Sequence, residues 1–225
     1  MIDFTKTKQY TLSIRLSTDG FSFSIFNPLP DGNAETVIEK EVDVALSLTA
    51  NLKNCFQTSD FLSYPYKRVN VMITGKRYTA VPTELFDESQ MEELFHYNHS
   101  KRENEKVMHN PLSSTNAVII FGIDKGVYHL VNEHYPDACF YSQSSPLIEY
   151  FANKSRQGNS RKMYVSVRES AVDVYCFDRG NLLLSNTFEC STTEDRIYFL
   201  LYVWKQLEFD QERDEIHLTG ILSDK

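Results

Sequence analysis

MYVSVR (Met163–Arg168), AVDVYCF (Ala171–Phe177) and NLLLSNTFE (Asn181–Glu189) follow one another near the end of the chain. The first two alternate apolar and polar side chains, as half-buried strands do. The turns Glu169-Ser170 and Asp178-Arg179-Gly180 separate the three segments. An amphipathic helix from about Thr193 to Phe209 follows, and then a fourth strand, EIHLTG (Glu215–Gly220). The same order of elements occurs once before, between Tyr10 and Thr74. That duplication decides the fold class.

In the earlier copy, YTLSIRLS (Tyr10–Ser17) places Leu12, Ile14 and Leu16 on one face. Thr18-Asp19-Gly20 is a hairpin turn, because Asp-Gly supplies the positive φ angles such turns require. Phe21–Phe26 returns, the turn-rich Asn27–Asn33 intervenes, and Thr36–Val42 completes an antiparallel meander. Ala45, Leu46, Leu48, Leu52 and Phe56 have helical spacing, which predicts a helix over Val44–Phe56. Val69–Thr74 then adds a buried parallel strand through a right-handed crossover.

Between the copies, Arg77–Val81 reads as a strand stopped by Pro82, and Glu88–His96 as a helix. His96–Pro111 is polar without a clean period and reads as a surface excursion. Asn116–Ile123 is a central strand, Lys125–Tyr135 a helix and Ala138–Ser142 a short strand. A further helix starts with Ser145 as cap and Pro146 at its first position. The polar linker Ser155–Arg161 divides the chain into residues 1–156, with an insertion around 77–116, and residues 157–225. The second, shortened unit stops after its fourth strand, its later elements missing or truncated.

Composition excludes several classes. A net charge of −8 over 225 residues, with only short basic runs such as Tyr66-Lys67-Arg68, disfavours nucleic-acid binding. The longest apolar stretch, Ile197–Trp204, is too short to span a bilayer. MIDFTKTKQY has no apolar core of a signal peptide. Cys55, Cys139, Cys176 and Cys190 show no CxxC spacing and read as buried free thiols of a cytoplasmic protein.

The order βββαβ, insertion, βαβα, βββαβ is that of the ribonuclease H-like unit used twice, an α/β fold with mixed sheets. Two such units in tandem resemble the actin-like ATPase superfamily, which includes actin, the sugar kinases and the heat-shock chaperones. The nearer likeness is to the actin-like proteins of pilus assembly and type II secretion. Tyr78–Phe86 matches their Pro-bearing segment, and Ala117–Phe151 their strand–helix–strand–helix part. The chain also resembles a bacterial family built on a domain of unknown function, whose most recognisable feature is VPTELFDE (Val81–Glu88).

The resemblance implies three places for chemistry. Two are Asp-x-Gly hairpin turns whose backbone N–H groups cradle phosphates and whose carboxylates organise Mg²⁺. The third is a Gly-Gly turn against which adenosine packs. Here the first turn is Ser17-Thr18-Asp19-Gly20-Phe21-Ser22, with Thr18 where the Asp belongs. The second, Arg168-Glu169-Ser170-Ala171, has neither Asp nor Gly. The third, Leu218-Thr219-Gly220-Ile221, has one Gly, and Ile221 would intrude on a nucleotide face. These departures predict a pseudo-enzyme, with no catalytic residues and no resident cofactor or metal. The competing expectation is a divergent ATPase or kinase that binds ATP and Mg²⁺ through Asp19, Gly20 and Ser22, with adenosine at Gly220.

The remaining candidates are weaker. His96 and His99 form an HxxH pair, with no carboxylate–His pattern beside them; solvated histidines explain them. On the last helix, Ile197, Leu200, Leu201 and Leu207 supply a core face. Tyr198, Tyr202 and Trp204 then predict a surface for a partner protein or for self-association.

Overall fold

A computed structural model describes residues 2–29 and 35–220. Residues 30–33 of the Asn27–Asn33 loop, and Ile221, lie outside them. By spatial proximity the chain divides into two compact units. The first comprises residues 1–75, 92–109 and 121–143; the second comprises residues 76–91, 110–120 and 144–225.

The first unit holds a five-stranded sheet in the order β3-β2-β1-β4-β8. Its strands are β1 (Thr11–Leu16), β2 (Phe21–Phe26), β3 (Glu35–Lys40), β4 (Arg68–Ile73) and β8 (Cys139–Ser142). The three consecutive strands pair antiparallel, while β4 joins β1, and β8 joins β4, in parallel. Register explains the alternating pattern. Leu12 lies between Ile25 and Val69, and Ile14 between Phe23 and Val71, so one face of the sheet is continuously apolar. Leu12, Ile14, Phe23 and Val71 are fully buried, and each such side chain contributes about 1.5–3 kcal/mol.

The crossover helix α1 spans Leu48–Thr58, four residues later than its periodicity suggests. Polar side chains set its start. Ser47 Oγ accepts from Ala50 N–H at 3.1 Å. Buried Asn51 donates its amide to the carbonyls of Asp43, Leu46 and Ser47, and accepts from Asp43 N–H at 2.8 Å. The segment before Leu48 is therefore held as a turn, and Val44 stands 95% exposed. Beside α1 lies α3 (Lys125–His134), with the Phe56 and His134 rings stacked at 4.1 Å.

The second sheet has the order β11-β10-β9-β12. It is built from β9 (Lys162–Val167), β10 (Ala171–Asp178), β11 (Asn181–Glu189) and β12 (Glu215–Gly220), with β12 parallel to β9. One face packs Met163, Val165, Val172, Val174 and Cys176 beneath α5 (Thr193–Gln206). The opposite face presents Tyr164 and Tyr175 to Phe151 of α4 (Ser144–Ser155), whose ring stacks on Tyr164 at 4.3 Å. Duplication assigns α4 to the first copy, whereas proximity groups it with the second sheet.

β5 (Tyr78–Pro82), β6 (Glu105–Pro111) and β7 (Ala117–Asp124) form a third sheet in the order β5-β7-β6. β6 and β7 change unit partway along their length. Tyr78 anchors β5 through its hydroxyl, 2.9 Å from Ser185 Oγ of β11. The helix read over Glu88–His96 is a 3₁₀ turn followed by α2 (Met91–His96). β6 occupies much of what reads as a surface excursion. Its buried residues, Val107 and Asn110, do not alternate, so no two-residue period marks it.

Three of the four thiols are buried as expected, while Cys139 at the start of β8 is exposed. Burial pushes the Cys176 thiol up to about 12 and also raises Cys55. In the native protein a thiol reagent should therefore modify Cys139 rapidly and Cys176 only after denaturation; mass mapping of adducts checks this. Replacing Asn51 with Ala should cost about 1–3 kcal/mol in urea unfolding, because it strands the Asp43 N–H and several carbonyls.

Candidate nucleotide turns and partner surface

The first turn joins β1 to β2. Ser17 N–H donates to Gly20 O at 3.2 Å. Asp19 folds back on its own turn: its N–H donates to Ser17 Oγ at 3.3 Å, and its carboxylate accepts from the hydroxyls of Ser17 and Thr18. Asp19, Gly20 and Ser22 line an open pocket of about 370 Å³. Its wall also carries Arg15, Lys40, Glu39 and Glu41, so three carboxylates face two cations. A phosphate entering here would meet an excess of like charge.

The second turn joins β9 to β10, closed by Arg168 N–H donating to Ala171 O at 2.9 Å. The Arg168 guanidinium grips buried Asp173 with both prongs, Nε to Oδ2 at 2.9 Å and Nη2 to Oδ1 at 3.0 Å. Thr187 Oγ1 donates to the same carboxylate at 2.6 Å. From α5, Arg196 Nη2 donates to Glu169 O at 2.7 Å and to Arg168 O at 3.2 Å. The turn's carbonyls thus converge on a cation of the chain itself.

At the third place, Gly220 ends β12 in register with Val167. Its φ of +97° favours glycine, and a Cβ would fall on the Val167 backbone. Close approach of two strands accounts for this glycine.

An Asp-x-Gly pattern does occur at Asp124-Lys125-Gly126, where it opens α3. Asp124 caps that helix by accepting from Val127 N–H at 3.0 Å, and also accepts from Thr49 Oγ1 and Asn104 Nδ2. A Cβ on Gly126 would lie 2.7 Å from Thr49 Oγ1. The motif was readable in the sequence, but it sits at a strand-to-helix junction rather than in a hairpin.

His96 Nδ1 lies 3.0 Å from His99 O, and no group of three or more His, Cys, Asp or Glu among the described residues could hold an ion.

On α5, Arg196, Phe199, Leu200, Val203 and Trp204 turn inwards, as does Leu207 just after its end. Phe199 stacks on Phe188 of β11 at 4.6 Å, and Trp204 packs on Phe209 at 4.8 Å. Trp204 is thus half-buried against the core and is not an outward aromatic. Ile197 and Leu201, expected inside, are 52% and 63% exposed beside Tyr198 at 64% and Tyr202 at 53%. Tyr198 and Tyr202 are placed outwards as the sequence suggests. No helix among the described residues is long and apolar enough to cross a membrane.

Over residues 1–225 the sequence matches a protein family described as "Protein of unknown function (DUF3822)". No curated protein matches the chain. The structure is similar to the crystal structure of a Bacteroides thetaiotaomicron protein described as having an actin-like ATPase fold and unknown function. The two are 70% identical, with a TM-score of 0.94 over all of this chain and 87% of that one. The chain therefore has an actin-like ATPase fold. An exopolyphosphatase from Cytophaga hutchinsonii matches at 11% identity and a TM-score of 0.45, over 96% of this chain and 67% of that one. The PilM-PilN type IV pilus biogenesis complex matches at 12% identity and a TM-score of 0.42, over 89% of this chain and 66% of that one.

Removing one partner of the buried pair leaves a charge without its counter-ion. Arg168→Ala should destabilise the protein by about 3–5 kcal/mol in denaturant titration. Arg179→Ala, which breaks the exposed pair with Asp178, should change stability by less than about 0.5 kcal/mol.

Proposed function

We propose that this chain, which belongs to the family described as protein of unknown function (DUF3822), works as a non-catalytic protein-interaction or scaffolding module on its actin-like ATPase fold. The observation that carries this reading is the second turn. A turn that cradles a phosphate aims N–H groups at it. This one aims the carbonyls of Arg168 and Glu169 at the Arg196 guanidinium, while Arg168 is committed to Asp173. The acidic wall beside Asp19 supports the same reading.

The exposed stripe of Ile197, Tyr198, Leu201 and Tyr202 on α5 offers the partner surface. Four free thiols suit a reducing compartment such as the cytoplasm. The competing reading is a divergent ATPase or kinase holding ATP and Mg²⁺ at Asp19, Gly20 and Ser22. It draws on the pocket those residues line, and Glu39 and Glu41 weigh against it.

Thermal unfolding with and without Mg-ATP separates the two. Nucleotide at a hundred times its dissociation constant would stabilise the native state by about 2.7 kcal/mol, so a plain upward shift abolished by Asp19→Ala sinks our reading. We expect no shift. For the partner arm, a photoreactive residue in place of Tyr198 should give a discrete cross-linked adduct in cells, while one in place of exposed Val44 should not.

A further inference from the structure

The two-residue turn between β10 and β11, Arg179-Gly180, breaks a local rule. Such a hairpin needs left-handed backbone at both positions, which Asn-Gly supplies most readily. Gly180 complies with a φ of +91°, but the position before it carries an arginine at +48°. A long side chain held there against its own preference calls for a reason outside the turn. Beside it lies an open pocket of about 390 Å³, lined also by Arg156, Thr83, Ser114, Thr115 and Asn181. We propose that this pocket binds a phosphate group, free or carried on a small molecule, between the guanidinium groups of Arg156 and Arg179. The inference is separate from the α5 surface and from the reading of the nucleotide turns.

The second unit alone builds the pocket. Its walls are the β10–β11 turn, the β6–β7 loop at residues 112–116, Thr83 and Arg156, the residue after α4. It lies at the end of the second sheet where β9 begins, since Phe177 is in register with Lys162, whereas Gly220 pairs with Val167 at the far end. Side chains of α4 fix both walls. Buried Ser155 Oγ accepts from Gly180 N–H at 2.9 Å. Asn153 Nδ2 donates to Ser114 Oγ at 3.0 Å, and Glu149 accepts from the N–H groups of Ser113 and Ser114. Arg156 stands between the walls. Its Nη1 donates to Asn153 Oδ1 at 3.0 Å and its Nη2 to Ser114 O at 2.6 Å, so neutral oxygens hold it. A Cβ at residue 180 would lie 2.7 Å from its Nε, so glycine lets this guanidinium come up against the turn. Donors held in this way are in place before a ligand arrives.

Charge specifies the occupant. The pocket beside Asp19 sets three carboxylates against two cations, whereas among the described residues this one sets two cations against none. Of the acids that touch its wall, Glu149 is taken up by Ser113 and Ser114, Glu84 by the Asn116 amide at 3.2 Å, and Asp178 by Arg179 Nε at 3.0 Å. Asp178 leaves both terminal nitrogens of Arg179, whose side chain is 65% exposed. Arg156 has no carboxylate partner among the described residues. A guanidinium carries five N–H donors, and Arg156 spends two of them. The hydroxyls of Thr83 and Thr115 and the Asn181 amide add donors from three further segments. A planar carboxylate fills one arginine fork, while the three oxygens of a phosphate group can meet two. The remaining wall is polar and leaves room for a small hydroxylated carrier.

The probes are inorganic phosphate, glucose 6-phosphate and glucose, each titrated into the whole chain by calorimetry in a phosphate-free buffer of low ionic strength. We expect saturable binding of a phosphate probe and at least about tenfold weaker binding of glucose. Tighter binding of inorganic phosphate identifies the free ion as the source, and tighter binding of glucose 6-phosphate a small monoester. Arg156→Gln should weaken the better probe about tenfold. Arg179→Asn should also weaken it, yet raise the melting temperature by about 2 °C, because Asn-Gly relaxes the turn. An arginine kept only for structure would not trade stability for binding in this way. Arg102→Gln, at an exposed position of the other unit, should leave binding unchanged. Should Arg156→Gln fail to fold, Arg179→Asn decides alone. No saturable binding of either phosphate probe overturns the proposal, as does binding indifferent to the pocket variants. Glucose binding as tightly as glucose 6-phosphate overturns it too, because the carrier and not the phosphate would then be the ligand.

Discussion

Two parallel pairings, β1 with β4 and β9 with β12, constrain everything else in this protein. Antiparallel neighbours can be joined by a tight turn, but a parallel neighbour requires the chain to return to the starting end of the sheet. That return is α1 in one sheet and α5 in the other. Once each crossover helix lies over its sheet, the apolar side chains of the central strands gain a second layer, and strand residues such as Ile14 and Val174 become fully buried. The turns between antiparallel strands are left at the sheet ends, where they are free to acquire or lose chemistry.

The turn before β10 shows what happens when that freedom is used for stability. Its charges are satisfied internally, by a two-pronged ion pair with buried Asp173 and by Arg196 reaching back from the crossover helix. Burying an ion pair gains little over an apolar pair of the same size, and its worth lies more in fixing one arrangement. Here it fixes the β9–β10 hairpin, and Arg196 ties the first turn of α5 to that hairpin. A loop tied in this way has few conformations with which to close on a ligand. The chain's own cations occupy this position.

Much of the architecture was legible because alternation and helical periodicity are local. β1, β2, β9 and β10 announce themselves in this way, and the duplicated order of elements pointed to the sheet topology. Three things were not local. The start of α1 is set by Asn51 reaching back to Asp43, which no apolar pattern records. β6 is held by its one sheet neighbour, β7, rather than by a two-residue period of its own. The orientation of α5 follows from Phe199 stacking on Phe188, which rotates Ile197 and Leu201 out and Trp204 in. Both flanks of that helix are apolar in sequence, so only a cross-element contact could choose between them. At the candidate site, the absent Asp and Gly of the Arg168–Ala171 turn were visible, whereas the arginine filling it came from 27 residues downstream of Glu169.

The division of the chain into units made of alternating segments has a consequence for inheritance. Residues 76–91, 110–120 and 144–225 belong together, yet residues 92–109 and 121–143 of the other unit are threaded between them. No single break in the polypeptide releases either unit, and no contiguous stretch of coding sequence encodes one. A family built this way cannot shuffle its halves as independent cassettes. Its two units must be gained or lost together.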